Sequence, residues 1–173
     1  MIRNSMLTTN RLVIRLFREN DVFALVEMFS DPLVARYVDE GHGLSLPQAK
    51  HWVQRSLENH TRFGYGTGAV ALREQPDLAI GWAGIARPDD DAEEIIYGLS
   101  RAFWGQGYGK EIVNALVCYG RLAGKSVLRA TVDSRNLASV RLLEKNGFEL
   151  SEDQYREDPC NCLFQIFLVN QEN

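Results

Sequence analysis

Apolar positions in the first half of the chain come in short strand-like runs separated by two helical patterns. Leu12-Val-Ile-Arg-Leu-Phe17 is rich in β-branched and apolar residues and predicts a strand. Asn20-Asp21 offers an N-cap for a helix over Val22–Phe29, which Asp31-Pro32 punctuates before one further turn over Leu33–Val38. Ser45-Leu-Pro-Gln48 has the form of a helix start, with Pro47 in the first turn and Gln48 placed to close a capping box. That helix is expected to run to about Asn59. Phe63–Gly68 reads as strand entry. Ala69–Leu72 and Leu78–Ala86 read as strands joined at Gln75–Asp77, and Pro88–Asp91 as the turn into a strand over Glu94–Leu99. The pattern is that of an antiparallel meander.

The second half alternates helix and strand. Lys110–Ala123 is the clearest helix, with Ile112, Val113, Leu116, Val117 and Leu122 on one side and Gly124 as its stop. Val127–Val132 is a strand. Asn136–Lys145 is a helix with Leu137, Val140 and Leu143 facing inward and Gly147 as its stop. Phe148–Leu150 and Leu163–Val169 close the chain as strands. No repeat or linker interrupts the pattern, so one mixed α/β (α+β) domain is expected over residues 1–173.

Composition narrows the function. The 173 residues are 45% hydrophobic and 24% charged, with a formal net charge of −4, so bulk charge does not suit nucleic-acid binding. No apolar run reaches membrane-spanning length, and Met1–Asn10 lacks the apolar core of a signal peptide. Cys118, Cys160 and Cys162 form neither a disulfide framework nor a zinc-ligand pattern, so no metal is expected, and Cys118 reads as a core residue. The cytoplasm is the expected compartment.

Chemistry enters at Glu94-Ile-Ile-Tyr-Gly-Leu-Ser-Arg-Ala-Phe-Trp-Gly-Gln-Gly-Tyr-Gly-Lys-Glu111. A strand leads into Gly105, Gly107 and Gly109, and a helix follows at once. Unpaired N–H groups and the positive end of the helix dipole therefore face the loop, which suits an anion such as phosphate at Gln106–Lys110. A tight turn without a ligand would use the same glycines. The spacing is neither G-x-x-x-x-G-K-[ST] nor G-x-G-x-x-G. Phe63-Gly-Tyr-Gly-Thr-Gly68 has no helix behind it and reads as connection.

Trp104-Gly-Gln-Gly-Tyr-Gly-Lys-Glu111 resembles the pyrophosphate loop of the GNAT superfamily of acyl-CoA-dependent N-acetyltransferases. Asn136-Leu-Ala-Ser139, followed by Leu142-Leu-Glu-Lys-Asn-Gly-Phe148, resembles its second signature. Leu7-Thr-Thr-Asn-Arg-Leu-Val-Ile-Arg15, with Asp21, Asp31-Pro32 and Tyr37, is similar to the RimJ/RimL branch. The resemblance runs from about Leu7 to Leu168. It implies the GNAT fold, a mixed, mostly antiparallel sheet flanked by helices, with acetyl-CoA as co-substrate and an amine (a protein N-terminus or a small molecule) as acceptor. Trp104, Gly105, Gln106, Gly107, Tyr108, Gly109 and Lys110 would hold the pyrophosphate. The backbone of Tyr97, Gly98 and Leu99 would pair with the pantetheine arm, in a gap left by a splayed Val127–Val132 strand. A backbone N–H near Leu99 would polarise the thioester carbonyl.

The resemblance also assigns Asn136 to the pantetheine and places Ser139 near the sulfur as proton donor. A plain N-cap and a helix-packing serine are the alternative roles. Many family members carry a tyrosine where this chain has Leu143, and Gln or Arg where it has Trp104. Glu94 is the expected base, because strand alternation turns Glu93 to the opposite face. Asp89–Asp91 with Glu93 is either a solvated hairpin turn or an acidic rim for a cationic acceptor. By the resemblance Tyr155–Asp158, between the last strands, would add to that rim. His42, His51 and His60 read as surface or structural, and Trp52, Trp82 and Tyr65 as packing, with Trp52 placed to wall an acceptor site. Transfer by direct attack in a ternary complex is the expected chemistry. A non-catalytic acyl-CoA-binding module and a nucleotide binder using only the glycine loop are the alternatives.

Overall fold

The computed structural model describes residues 5–38, 41–86 and 93–168. Strands β1 (Ser5–Thr8), β2 (Leu12–Arg15), β3 (Thr67–Leu72), β4 (Gly81–Ala86) and β5 (Glu94–Leu99) run as an antiparallel meander. Beyond them lie β6 (Val127–Asp133), parallel to β5, then β8 (Asn161–Phe167) and the edge strand β7 (Glu149–Asp153). All eight form one sheet in the order β1-β2-β3-β4-β5-β6-β8-β7.

Helices cover both faces. On one face, α1 (Asp21–Ser30), α2 (Pro32–Ala35) and α3 (Leu46–Phe63) bury Leu25, Phe29, Val53 and the Trp82 ring. Phe29 stacks on Trp82 with centroids 4.7 Å apart, and Trp52 meets both edge-on. On the other face, α4 (Tyr108–Leu122) and α5 (Leu137–Lys145) pack Ile112, Leu116 and Leu143 against Leu128 and Ala130.

The expected strand and helix types are all present, with shifted boundaries. The hairpin strand β1 had no alternating signal of its own. Helix α3 continues through Phe63 and ends at Gly64, whose φ of 76° needs glycine. Strand β4 begins only at Gly81, and β7 begins at Glu149 and extends to Asp153. Cys118 is exposed, not in the core, and Leu122 is 84% exposed. The buried stripe of α4 continues instead to Gly120, where a Cβ would lie 2.7 Å from Leu128. Leu137 is also exposed, Val140 is only partly buried, and Leu143 alone of the three is in the core. The Pro88–Asp91 turn and Val169 lie outside the described residues.

Two features set up the site. The β4–β5 ladder registers six pairs from Gly81↔Leu99 to Ala86↔Glu94, whereas β5 and β6 share the single pair Glu94↔Arg129. The sheet therefore opens between β5 and β6 from Ile95 onward. Behind the meander, Arg15 and Asp21 form a buried bidentate pair at 2.7 and 3.0 Å. Arg15 also donates to the carbonyls of Leu16, Pro76 and Asp77, and the Asp21 carboxylate accepts from the Arg18 N–H. These bonds tie α1 and the β3–β4 connection to β2. Asp21→Ala leaves a buried guanidinium without its counter-charge, so the expected loss is about 3–5 kcal/mol. A denaturant titration would show it as a lowered midpoint with an unchanged slope.

Candidate active site

Strand alternation divides the residues of β5 between two cavities. Ile95, Tyr97 and Leu99 face α4, while Glu94 and Ile96 face α3. The first cavity, about 600 Å³, opens where the strands part, between the loop after β5 and the start of α5. Every residue predicted to bind the cofactor lines it except Gln106. The second, about 360 Å³, lies against α3 and is lined by Trp52, Arg55, Glu94, Thr131, Tyr155 and Arg156, among others.

The glycine loop is built as an anion cradle. Gly105 and Gly107 have φ of 72° and 80°, left-handed backbone that glycine adopts without strain. Gly107 is the N-cap of α4 and supplies no side-chain cap. Among the described residues, none of the N–H groups from Gly105 to Lys110 donates to another protein group. These donors, together with the dipole of a 15-residue helix, suit an anion such as phosphate. The cleft lining carries Arg36, Lys110 and Arg135 and no acidic residue. Arg135 is paired with Asp133 at 2.6 Å, which holds the Asp133 carboxyl below its usual range. Gln106 turns its side-chain amide away, to the Ala102 carbonyl at 3.0 Å. Trp104 donates its indole N–H to the Leu99 carbonyl at 2.7 Å, fixing the path from strand to loop.

A second braced contact lies behind the loop. The Glu111 carboxylate accepts from the Thr9 hydroxyl, from the Arg11 N–H at 2.7 Å and from the Arg11 Nε at 2.8 Å. Burial pushes that carboxyl up, but these bonds outweigh it and hold it below the usual range. Arg11 also donates to the Gln106 carbonyl at 3.0 Å and lies 4.3 Å over the Tyr108 ring.

Across the cleft, Asn136 caps α5 by accepting from the Ser139 N–H at 3.2 Å. The Ser139 hydroxyl is 2.8 Å from the Tyr97 hydroxyl. Burial raises the Tyr97 pKa above the ordinary phenol value, and the Ser139 hydrogen bond pulls the other way. A protonated phenol therefore sits beside the predicted serine at neutral pH. The sequence placed Tyr97 here only for its backbone. The alternation of β5 was the available signal for its hydroxyl, because it turns Tyr97 to the same face as Ile95 and Leu99. Position 143 is a core leucine only 1% exposed.

Glu94 and Glu93 part as alternation requires. Glu93 pairs with Lys125 at 2.6 Å, whereas the Glu94 carboxylate makes no hydrogen bond or ion pair among the described residues. Thr131 lines the same cavity, and its buried hydroxyl lacks a partner there. Trp52 reaches this cavity while donating its indole N–H to the Thr67 hydroxyl at 3.2 Å, so it packs and lines at once. His60 is held below its ordinary pKa by burial, and His51 is exposed. Asp89–Asp91 lie outside the described residues.

A model of the acetyltransferase (GNAT) domain matches residues 11–149. The chain belongs to the GNAT family. It is accordingly an acetyl-CoA-dependent N-acetyltransferase. It is 28% identical over 146 residues to the uncharacterized N-acetyltransferase p20 of Bacillus licheniformis, covering 83% of this chain and 82% of that protein. An acetyltransferase structure from Agrobacterium tumefaciens str. C58 superposes with a TM-score of 0.81 at 25% identity, over 94% of each chain. RimL, a ribosomal L7/L12 alpha-N-protein acetyltransferase solved with coenzyme A, shares the fold with a TM-score of 0.74. Its identity is 20%, over 92% of this chain and 96% of its own. In this GNAT chain the Tyr97–Ser139 contact has a spectroscopic consequence. Ser139→Ala removes the bond that lowers the Tyr97 pKa, so the tyrosinate absorbance assigned by Tyr97→Phe should move to still higher pH.

Proposed function

We propose that this enzyme acetylates a primary amine, either a protein or peptide N-terminus or a small-molecule amine, by direct attack within a ternary complex. The observation that carries the proposal is the pair of cavities on either side of β5. One offers an anion cradle and a part-buried hydroxyl pair; the other offers a carboxylate with no hydrogen bond or ion pair among the described residues.

Acetyl-CoA supplies an activated acyl group when bound. In this proposal the loop N–H groups of Gly105–Lys110 hold the pyrophosphate. Lys110 and Arg36 offset negative charge, and the open edge of Tyr97–Leu99 pairs with the pantetheine amides. The Asn136 side-chain NH₂ remains available to a ligand while its oxygen caps α5. The acceptor enters from the cavity against α3. Glu94 takes the proton that the amine must lose as the N–C bond forms, directly or through water. The Ser139–Tyr97 pair delivers a proton to the sulfur as the C–S bond breaks, with Ser139 as the donor and Tyr97 resupplying it.

Acceptor basicity sets how much help is required. A peptide α-amine has a pKa of roughly 8 and a lysine-type amine roughly 10.4, so the second depends more on Glu94 at neutral pH. A non-catalytic acyl-CoA-binding module is the second reading, motivated by the leucine at position 143. The Tyr97 phenol beside Ser139 argues against it, because a donor is present although it comes from the strand.

Thiol release from acetyl-CoA across N-terminal peptides, polyamines, aminoglycosides and amino acids tests both readings. Wild type should be active with one acceptor class. Glu94→Gln and Ser139→Ala should each lower kcat by about 10²-fold, within the span of a positioned acid or base. Coenzyme A binding without release across acceptors, or full activity in both variants, would contradict the proposal.

A further inference from the structure

The Thr9–Arg11 turn between β1 and β2 touches the cofactor loop from behind, and nothing in the transfer chemistry calls for it. The turn is itself anchored. Arg73 donates from its side chain to the carbonyls of Thr9 and Asn10, and from its backbone N–H to the Arg11 carbonyl. From that anchor the Arg11 guanidinium reaches three parts of the cradle. It bonds the Gln106 carbonyl, covers the Tyr108 ring and pairs with Glu111.

We infer that Arg11 is a positioning residue for pyrophosphate binding, acting through the Gln106–Gly107 peptide and through the charge of Glu111. The inference rests on the proposed cofactor site. Two physical arguments carry it. First, a trans peptide is planar, so fixing the Gln106 carbonyl toward Arg11 points the Gly107 N–H the opposite way. With glycines at 105 and 107 the loop has few restraints of its own, and this bond removes the freedom that glycine leaves. A cation on the carbonyl also polarises the peptide and strengthens its N–H as a donor.

Second, Glu111 stands in the first turn of the helix whose N-terminus must hold an anion. A carboxylate there suits the dipole but repels a phosphate. Arg11 neutralises it, and the Thr9 hydroxyl and Arg11 N–H occupy the remaining acceptor capacity of one oxygen. Glu111 thus anchors α4 to the hairpin without repelling the ligand. Arg11 touches no reacting atom in this scheme.

Coenzyme A affinity is the direct readout, measured by calorimetry on wild type, Arg11→Ala, Arg11→Lys and the double variant Arg11→Ala/Glu111→Gln. Melting temperatures without ligand are recorded alongside. Arg11→Ala should weaken coenzyme A binding about tenfold, the size of one charge-assisted contact. Arg11→Lys should fall between wild type and alanine, since lysine restores the charge but not the fork. The double variant should recover part of the loss, because the uncompensated carboxylate is gone. Unchanged affinity in Arg11→Ala overturns the inference. So does a double variant weaker than Arg11→Ala, which would mark the contact as structural only. Absence of coenzyme A binding in folded wild type would instead overturn the cofactor site on which the inference rests.

Discussion

The parting of β5 from β6 after one shared pair is the constraint on which the site depends. A continuous ladder would satisfy the backbone of Tyr97–Leu99 and leave no cleft. Each strand that borders the opening is held on its other side. β5 is committed along its full length to β4, and β6 is committed along its full length to β8. Each strand is thereby stable without the other. Trp82 stiffens the β4–β5 pair further, because its ring lies over Gly98, where a Cβ would come within 2.2 Å of it.

From that opening the rest of the site follows by alternation. Successive side chains of β5 point to opposite faces, so one strand presents Tyr97 to the cleft beside α5 and Glu94 to the cavity against α3. The proton donor and the proton acceptor of the proposed reaction are thus kept apart by the sheet itself. Their environments differ in the same direction as their roles. Both are half-buried, but desolvation raises the Tyr97 pKa and keeps the phenol protonated, whereas Glu94 has no cation paired to it among the described residues.

The loop illustrates a different balance. Its glycines free the N–H groups to converge on an anion, and the same freedom makes their direction poorly defined. Definition comes from outside the loop: Trp104 bonds the strand end, Gln106 bonds the preceding turn, and the N-terminal hairpin holds the loop from behind. The Arg15–Asp21 pair serves the hairpin in turn, since it fixes β2 against α1 and the β3–β4 connection.

By itself the sequence determined the antiparallel meander, the helix after the glycine loop and the Ser45–Gln48 capping box, although the expected cap at Asn20 makes no side-chain bond. It nominated Glu94, Asn136 and Ser139 as candidates. These are local matters of period, φ preference and capping, written within a few residues of where they act. It also placed Glu93 and Glu94 on opposite faces. It did not determine that Tyr97 meets Ser139, that Glu111 meets Thr9 and Arg11, or that Leu122 and Cys118 face solvent. Those outcomes depend on which strands pair, how far, and how α4 is rolled against Leu128. They join residues 42 and about a hundred positions apart. Local propensity carries no record of such contacts, because their energy arises only when the whole sheet brings the partners together.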